Sequence, residues 1–459
     1  MRLLKILSKN YQKLSIRVLN FGWEEKALIL IFLIACYLRL YNIPSTVQFL
    51  GDQGRDAIIV SKIFKEGDLA FIGPVTSVGN LYLGPLYYYF MLPFLWLSYP
   101  SPLGPVYAVA ALSIFTTSLM YLLGKHMFGK RTALIATALF AFSSTVVTYA
   151  RFSWNPNPAP FVSLWIVYSV WRSFNDPRWW VVAILGLSVI IQLHYLTLLT
   201  FPAVGIIWLY QVWSKSKSKK LEIASILKPT AIGVVIFVIS LLPLLLFDLK
   251  HNWLNTRAFY EMFFGESEIS PQSLSTGQKL LSALAETHGR SLHILFEITI
   301  GKVRSLNTVL LLAGIAAVAQ LLRSKYKHQL GLRVLLVFFL VSVGGTAFYQ
   351  HTIFDHYIAY LFPITMFLLA ILINELLKIK IIGPIASFAF MFYFIAFNLK
   401  NYPLQSLGWT VLDMQQTTRT ILDRVDQNEP YNLVLMSPTG DIEAQSYRYF
   451  LLASEKPPL

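Results

Sequence analysis

The sequence predicts an all-α, polytopic membrane protein, and three observations carry that prediction. Apolar runs of roughly 17–25 residues, each able to cross ~30 Å of hydrocarbon, recur from end to end. Only 13% of the 459 residues are charged and 56% are hydrophobic, against about 25% charged in soluble domains. The basic residues, finally, are gathered into a few short loops.

Eleven apolar segments are expected to span: 24–42, 104–123, 131–149, 158–172, 179–194, 195–213, 230–248, 307–322, 332–350, 357–376 and 381–398. The basic clusters lie at the N-terminus, in GKHMFGKR (124–131), WRSFNDPR (171–178), SKSKSKK (214–220), RSKYKHQLGLR (323–333) and KIK (378–380). With Lys228 they hold 22 of the 38 Lys and Arg and five of the 23 acids, leaving 16 bases and 18 acids elsewhere. Positive charge accumulates in cytoplasmic loops, so these loops are assigned to the cytoplasm. That assignment also explains the +15 net charge without a nucleic-acid partner.

A twelfth apolar segment, 83–99, breaks the pattern, because counting it as spanning would put GKHMFGKR outside. Its Pro85, Pro93, tyrosines and tryptophan suit the headgroup zone, so YLGPLYYYFMLPFLWLSY is read as interfacial or re-entrant. The N-terminus is then cytoplasmic, and 43–103, 150–157, the tip at 192–195, 249–306, 351–356 and the tail from 399 lie outside. Residues 1–23 form a basic amphipathic stretch expected to lie on anionic lipid. LIAC (33–36) is followed at once by Arg39, so the first span reads as an uncleaved anchor. In the tail (399–459), DMQQTTRTILDRVDQNEP and IEAQSYRYFLLASE are expected to be helices and NLVLMSP a strand, making a small α/β domain.

Helix connections usually take 2–8 residues, so the two long outer loops are candidate sites. The first opens with GDQGRD (51–56) at the start of a helical pattern. Asp52 and Asp56 then share one face, with Arg55 beside them, able to pair with either acid or with a ligand phosphate. An N-capping Asp with ordinary helix-surface charges would give the same string. Acids at a membrane edge beside an aromatic segment point instead to function. The second loop opens DLKHNWLNTRAFYE, where Lys250, His251 and Arg257 stand at headgroup depth; snorkelling is their plain reading, phosphate binding the functional one. His288, Arg290 and His293 read as loop surface. Arg151, Asn155 and Asn157 of ARFSWNPNPAP, His194 of IIQLHYL, and His356 and Tyr357 of FDHYIAY mark the same outer edge as substrate-binding candidates.

No nucleotide-binding Gly-rich loop, no H-E-x-x-H and no Cys/His metal spacing occurs, and the one cysteine, Cys36, builds no disulfide framework. Read in order, LGDQGRDA, LGPLYYY, YLLGKHMFGKRTALIATALFAFSSTVVTYARFSWNPNPAPF, QLHYLTLLTFP and FDLKHNWLNTR resemble the GT-C superfamily of lipid-carrier glycosyltransferases. The likeness is strongest to the bacterial relatives of protein O-mannosyltransferases and aminoarabinose transferases, glycosyltransferase family 39, and extends over about 1–400. Oligosaccharyltransferase subunits of that superfamily also carry a juxtamembrane helix where 83–99 had to be denied a span.

The resemblance implies an inverting transfer of a sugar from a polyprenyl-phosphate carrier to a lipid, glycan or protein acceptor, outside a plasma membrane of bacterial or archaeal type. It assigns the acceptor-facing carboxylate to Asp52, with Asp56 as a second acid. Arg55, Arg151, Lys250, His251 and Arg257 form the pool of cations for the departing phosphate. Two departures matter. Many relatives read Asp-Glu where this chain has Asp52-Gln53. Oligosaccharyltransferases hold a divalent metal with acids of the second outer loop, which here reads WNPNP, so neither metal nor other cofactor is expected. The competing classes are a flippase of lipid-linked saccharides and an O-antigen ligase or polymerase. The first calls for repeated halves and midplane polar groups. The second carries a large late basic loop and lacks the early Asp.

Overall fold

A computed structural model describes residues 22–76, 81–217, 220–264, 276–347, 349, 352–426, 429–436, 441–454 and 456–458. Residues 1–21 of the expected interfacial helix lie outside them. Among the described residues the chain is helical and contains no β-strand. Two isolated antiparallel bridges, Gln48 to Thr410 and Val75 to Tyr82, are the extended pairings.

Among the described residues, seven helices are long and apolar enough to cross a membrane: Leu103–Phe128, Tyr195–Ser216, Ile223–Ser240, Ser305–Arg323, Gln329–Ala347, Asp355–Leu376 and Ile382–Asn401. The other four expected spans are shorter, interrupted or more charged. Trp23–Leu40 carries Glu24, Glu25, Lys26 and Arg39; its acids sit in the first turn and Arg39 in the last, where each suits the helix dipole. Ala159–Ser173 and Trp179–Ile190 have 15 and 12 residues. Segment 131–149 is not one helix but two, Lys130–Phe142 and Ser144–Tyr149. The break has a polar cause. Ser143 caps the second piece, accepting from the Val146 N–H at 3.4 Å, and Asn398 accepts the Ser144 N–H at 2.5 Å while donating to the Thr299 carbonyl. Side chains that satisfy the freed backbone make such a break tolerable inside a bundle.

Arg39 shows how the first helix is held. It is fully buried, and its guanidinium donates to Ser113 Oγ and to the carbonyls of Ala35, Ala141 and Phe140 at 2.9–3.3 Å. One satisfied charge thereby ties Trp23–Leu40 to Leu103–Phe128 and Lys130–Phe142.

The non-spanning reading of 83–99 finds its counterpart in Leu86–Ser98, a helix of 13 residues, about 20 Å long at 1.5 Å per residue. It lays Tyr87, Tyr88, Met91 and Leu95 into the core beside the helix Gly51–Glu66. The tail corrects one expectation. Its helices form, as Val411–Arg424 and Gln445–Leu452, but NLVLMSP does not become a strand. Among its described residues a single backbone hydrogen bond, Leu435 N–H to the Ile442 carbonyl, takes the place of a ladder. An isolated strand with no sheet to join has nothing to satisfy its backbone. The tail instead joins the membrane part. Phe49 donates to the Trp409 carbonyl and Val411 to the Val47 carbonyl, and Phe49 packs on Tyr449 and Phe450.

Candidate active site

The acidic motif begins the helix Gly51–Glu66. Gln53 explains why a helix starts there: its Oε1 accepts the Leu50 N–H at 2.9 Å, one of the donors every helix start leaves orphaned. Gln53 is buried in this work, so its side chain serves the backbone.

Arg55 bridges the two acids. Its Nη1 lies 2.8 Å from Asp52 Oδ1, and Nη2 and Nε donate to Asp56 Oδ1 at 2.8 and 3.0 Å. The two carboxylates are unequal. The Asp52 side chain is 47% exposed and the Asp56 side chain 1%. Asp56 Oδ1 also receives the Tyr88 hydroxyl at 3.4 Å, whereas Oδ2 is buried with no hydrogen bond among the described residues. Burial raises the Asp56 carboxyl to about 6, outweighing Arg55, which pulls it down. Burial works against the Arg55 cation, yet Asp56 and Asp52 together hold it above its ordinary value. The result is a reachable carboxylate, a cation behind it, and a buried acid that fixes the cation.

This helix is wired to the other candidate loops. Tyr87, next to Tyr88, shares a 2.7 Å hydrogen bond with Ser153. Gly84 of LGPLYYY lies against the Gln192 side chain of QLHYL, where a β-carbon would come within 2.2 Å of Oε1. Asn155 donates to the Leu193 carbonyl at 2.6 Å and Asn157 to the Phe152 carbonyl at 2.8 Å. Both asparagines are buried, so their amides hold turns. His194, Tyr357 and His356 come together, with His194–Tyr357 and His356–Tyr357 ring centroids 4.6 and 4.5 Å apart. His194 is buried and its Nδ1 accepts the Leu196 N–H. His356 meets the Trp154 ring at a tilt of 43°, centroids 4.3 Å apart, and stacks on Phe354 at 5.8 Å. Phe354 is exposed, which leaves Trp154, His356 and Phe354 as an open aromatic edge.

Among the five basic candidates the structure divides the pool. Arg151 is buried and spent on the carbonyls of Leu38 and Tyr41 and on Thr46 Oγ1, at 2.6–2.9 Å. The phosphate role expected of Arg151 is therefore reassigned to anchoring the first helix. Lys250, His251 and Arg257 are exposed. His251 lies on the Phe247 ring at 4.1 Å, and Arg257 donates to the Asn252 carbonyl. What organises their loop is Asp248, which is buried and accepts the Asn255 N–H at 2.7 Å together with the Thr256 N–H and hydroxyl. Asn255 then clamps Tyr82, accepting its N–H at 2.6 Å and donating to its carbonyl at 3.1 Å. Asp248 thus caps the helix Leu254–Phe264 from inside the preceding helix, seven residues before Asn255, a spacing that no helix-start pattern announces.

A second correction concerns His293. Expected on a loop surface, it is largely enclosed between Glu297, 3.1 Å from Nδ1, and Asp355, 3.1 Å from Nε2. Burial opposes its charge, but the two carboxylates prevail and raise its pKa.

A divalent ion finds little here. No group of three His, Cys, Asp or Glu able to hold one exists among the described residues. Asp56 Oδ1 is taken by Arg55, and the loop 150–157 has amides rather than acids.

No known protein-family model and no curated protein sequence matches the chain. Solved structures do. ArnT from Cupriavidus metallidurans bound to undecaprenyl phosphate superposes with a TM-score of 0.58 at 13% identity, covering 94% of this chain and 84% of that one. The Archaeoglobus fulgidus oligosaccharyltransferase tethered to an acceptor peptide containing the NVT sequon gives 0.58 at 13% identity, over 94% of this chain. The same archaeal enzyme, AglB, in complex with an inhibitory peptide and a dolichol-phosphate gives 0.50 at 14%. This chain spans 64% of the oligosaccharyltransferase's length. At such identities the likeness is one of fold. The chain shares its fold with ArnT and the archaeal oligosaccharyltransferase over 94% of its length, the kind of fold that the resemblance of its ordered motifs led one to expect.

Proposed function

We propose that this chain, carrying the fold of the polyprenyl-phosphate glycosyltransferases, is itself one: an inverting enzyme that moves a sugar from a polyprenyl-phosphate carrier to an acceptor outside the membrane. The carrying observation is the Asp52–Arg55–Asp56 bridge, which presents one open carboxylate, at the start of a helix, on a scaffold shared with ArnT. Asp52 takes the proton of the acceptor hydroxyl as that oxygen attacks the anomeric carbon. The anomeric C–O bond to phosphate breaks on the opposite face, and the electron pair leaves with the lipid phosphate. Lys250, His251 and Arg257, exposed on the loop pinned by Asp248 and Asn255, offset the charge gathering on that phosphate. Arg55 orients Asp52 while Asp56 keeps Arg55 in place. The aromatic edge of Trp154, His356 and Phe354 offers ring faces to the apolar face of a sugar. The residues do not fit a divalent ion, and no step is routed through one.

The test is sugar transfer from radiolabelled polyprenyl-phosphate sugars by membranes carrying wild type or Asp52→Asn. A loss of about a hundredfold or more in a folded variant is the size expected for a general base. Full activity in Asp52→Asn would overturn the assignment.

A further inference from the structure

The end of the bundle opposite Asp52 holds a cavity that the transfer reaction does not use. The helix Leu103–Phe128 starts beside Leu86–Ser98, where Gly104 lies against Phe94 and Ser98, and ends at Phe128 in the cavity wall. The cavity has a volume of about 390 Å³ and lies where the connection between Arg304–Arg323 and Gln329–Ala347 meets the end of Phe362–Leu376. Lys325, Lys327 and Lys378 line it, against one acid, Glu375. Glu375 is already paired with Lys378 through contacts of 2.7 and 2.6 Å. Neither Lys325 nor Lys327 has an ion-pair partner among the described residues. The His328 imidazole, on the same wall, is lowered by burial, Lys327 and Lys378 against the raising pull of the Met127 backbone and Glu375. Tyr326, Asn374 and the Phe128 ring complete a wall that is part polar and part aromatic.

A wall of three lysines against one acid suits an anion, and the surrounding surface says which kind. Beside Lys378, Ile379, Ile381, Ile382 and Ile385 are all exposed, between 52 and 76%. Val309, Leu312 and Ile315 of the neighbouring helix are exposed as well. A free phosphate gains nothing from these residues, whereas acyl chains would cover them. Basic pockets between membrane helices are recurrent sites for anionic lipid headgroups.

We propose that this cavity binds the headgroup of an anionic phospholipid from the facing leaflet. Lys325 and Lys327 hold its phosphate and the isoleucine strip at 379–385 lies along its acyl chains. This site is independent of the sugar transfer and would stabilise the bundle by mass action.

The experiment uses the full chain purified in a zwitterionic detergent, followed by thermal unfolding against dioctanoyl phosphatidylglycerol, dioctanoyl phosphatidylcholine and inorganic phosphate. The expected result is a saturable rise in Tm with phosphatidylglycerol alone. Its half-saturating concentration rises at least tenfold in Lys325→Gln/Lys327→Gln and stays unchanged in Lys215→Gln/Lys217→Gln on another basic loop. Inorganic phosphate matching the lipid would overturn the lipid assignment. An equal response in the Lys325/Lys327 variant, or an equal loss in the Lys215/Lys217 variant, would remove the site altogether.

Discussion

Gly54 lies so close to the peptide joining Gln445 and Ser446 that a β-carbon on it would stand 2.4 Å from the Gln445 carbonyl carbon and oxygen and 2.5 Å from the Ser446 nitrogen. The obstacle is backbone, which does not swing aside. Next to it, a β-carbon on Gly51 would meet the Asp441 carboxylate at 2.7 Å. The motif that carries Asp52 is thus also the seat of the C-terminal tail, and the glycines of GDQGRD serve that seat.

Gly54→Ala is therefore expected to unseat the helix Gln445–Leu452 without disturbing the first turn of Gly51–Glu66. Overpacking of this kind costs about 1–3 kcal/mol, and the strain falls on the contact between tail and bundle. Limited proteolysis should cut within 425–445 several times faster than in wild type, and transfer should drop about tenfold or more. Unchanged cleavage and unchanged activity would show that the tail relaxes around a methyl group.

The buried acid gives a pH signature. Asp56 has a folded-state pKa of about 6 against an ordinary 3.8. For an acid raised by folding, the folded state holds the proton more tightly than the unfolded chain. Its contribution to stability is thus full below 3.8 and is lost as pH rises through about 6. Asp56→Asn keeps the shape and cannot ionise. The Tm of the variant relative to wild type should climb between pH 4 and pH 6.5 and level off above. A gap that stays constant over that range would mean that Arg55 already neutralises the carboxylate fully.

His293 titrates with the same sign, its stabilising contribution being lost as pH rises, but here it is the protonated group that makes the bridge. Charged, it joins Glu297 on its own helix to Asp355 at the start of the segment Asp355–Leu361, which carries His356 and Tyr357. Arg290, one turn earlier, faces Glu286, and Tyr149 lies near Asp355. A raised His stabilises fully below its ordinary 6.5, and that contribution disappears as pH rises through the higher folded value. Hydrogen exchange at 355–361, corrected for intrinsic rate, should accelerate above pH 6.5 in wild type. In His293→Gln it should be fast at every pH. Identical pH profiles would leave the bridge without a part in holding that segment.

How much of this was legible follows from the kind of signal each residue emits. The helical membrane character could be read because hydrophobic length and composition are local sums, needing no partner, although among the described residues seven of the eleven expected spans are long and apolar enough to cross. Asp52, Arg55 and Asp56 could be read as neighbours because helical spacing fixes which of them share a face. That Arg55 is spent on both acids could not, since nothing in six residues says how deep Asp56 lies. Arg151 and His293 failed for one reason. An arginine at a helix end, or a histidine in a long loop, looks the same whether it meets solvent or the carbonyls of a segment 110 residues away. The break at Ser143 depended on Asn398, 254 residues further along. Partners brought from afar by the fold decide what a polar side chain does, and sequence spacing carries no trace of them.

The loop bearing Lys250, His251 and Arg257 supplies the last test, because its order rests on residues that touch no substrate in the proposed reaction. Asn255 is buried and reaches both backbone groups of Tyr82, and Asp248 holds Asn255 in register through its N–H. Asn255→Leu has similar bulk and removes both contacts to Tyr82. Leaving the half-buried Tyr82 amide unpaired costs about 1 kcal/mol, spent on the loop rather than on the spanning helices. If these cations serve the donor phosphate, KM for the polyprenyl-phosphate sugar should rise at least about fivefold in Asn255→Leu, with Tm within a few degrees of wild type. Charge removal in Lys250→Gln/Arg257→Gln should raise the same KM with no change in the order of the loop. Should Asn255→Leu raise KM while the double charge variant does not, the loop would be shaping the site by contact, and the phosphate would have to find its cations elsewhere.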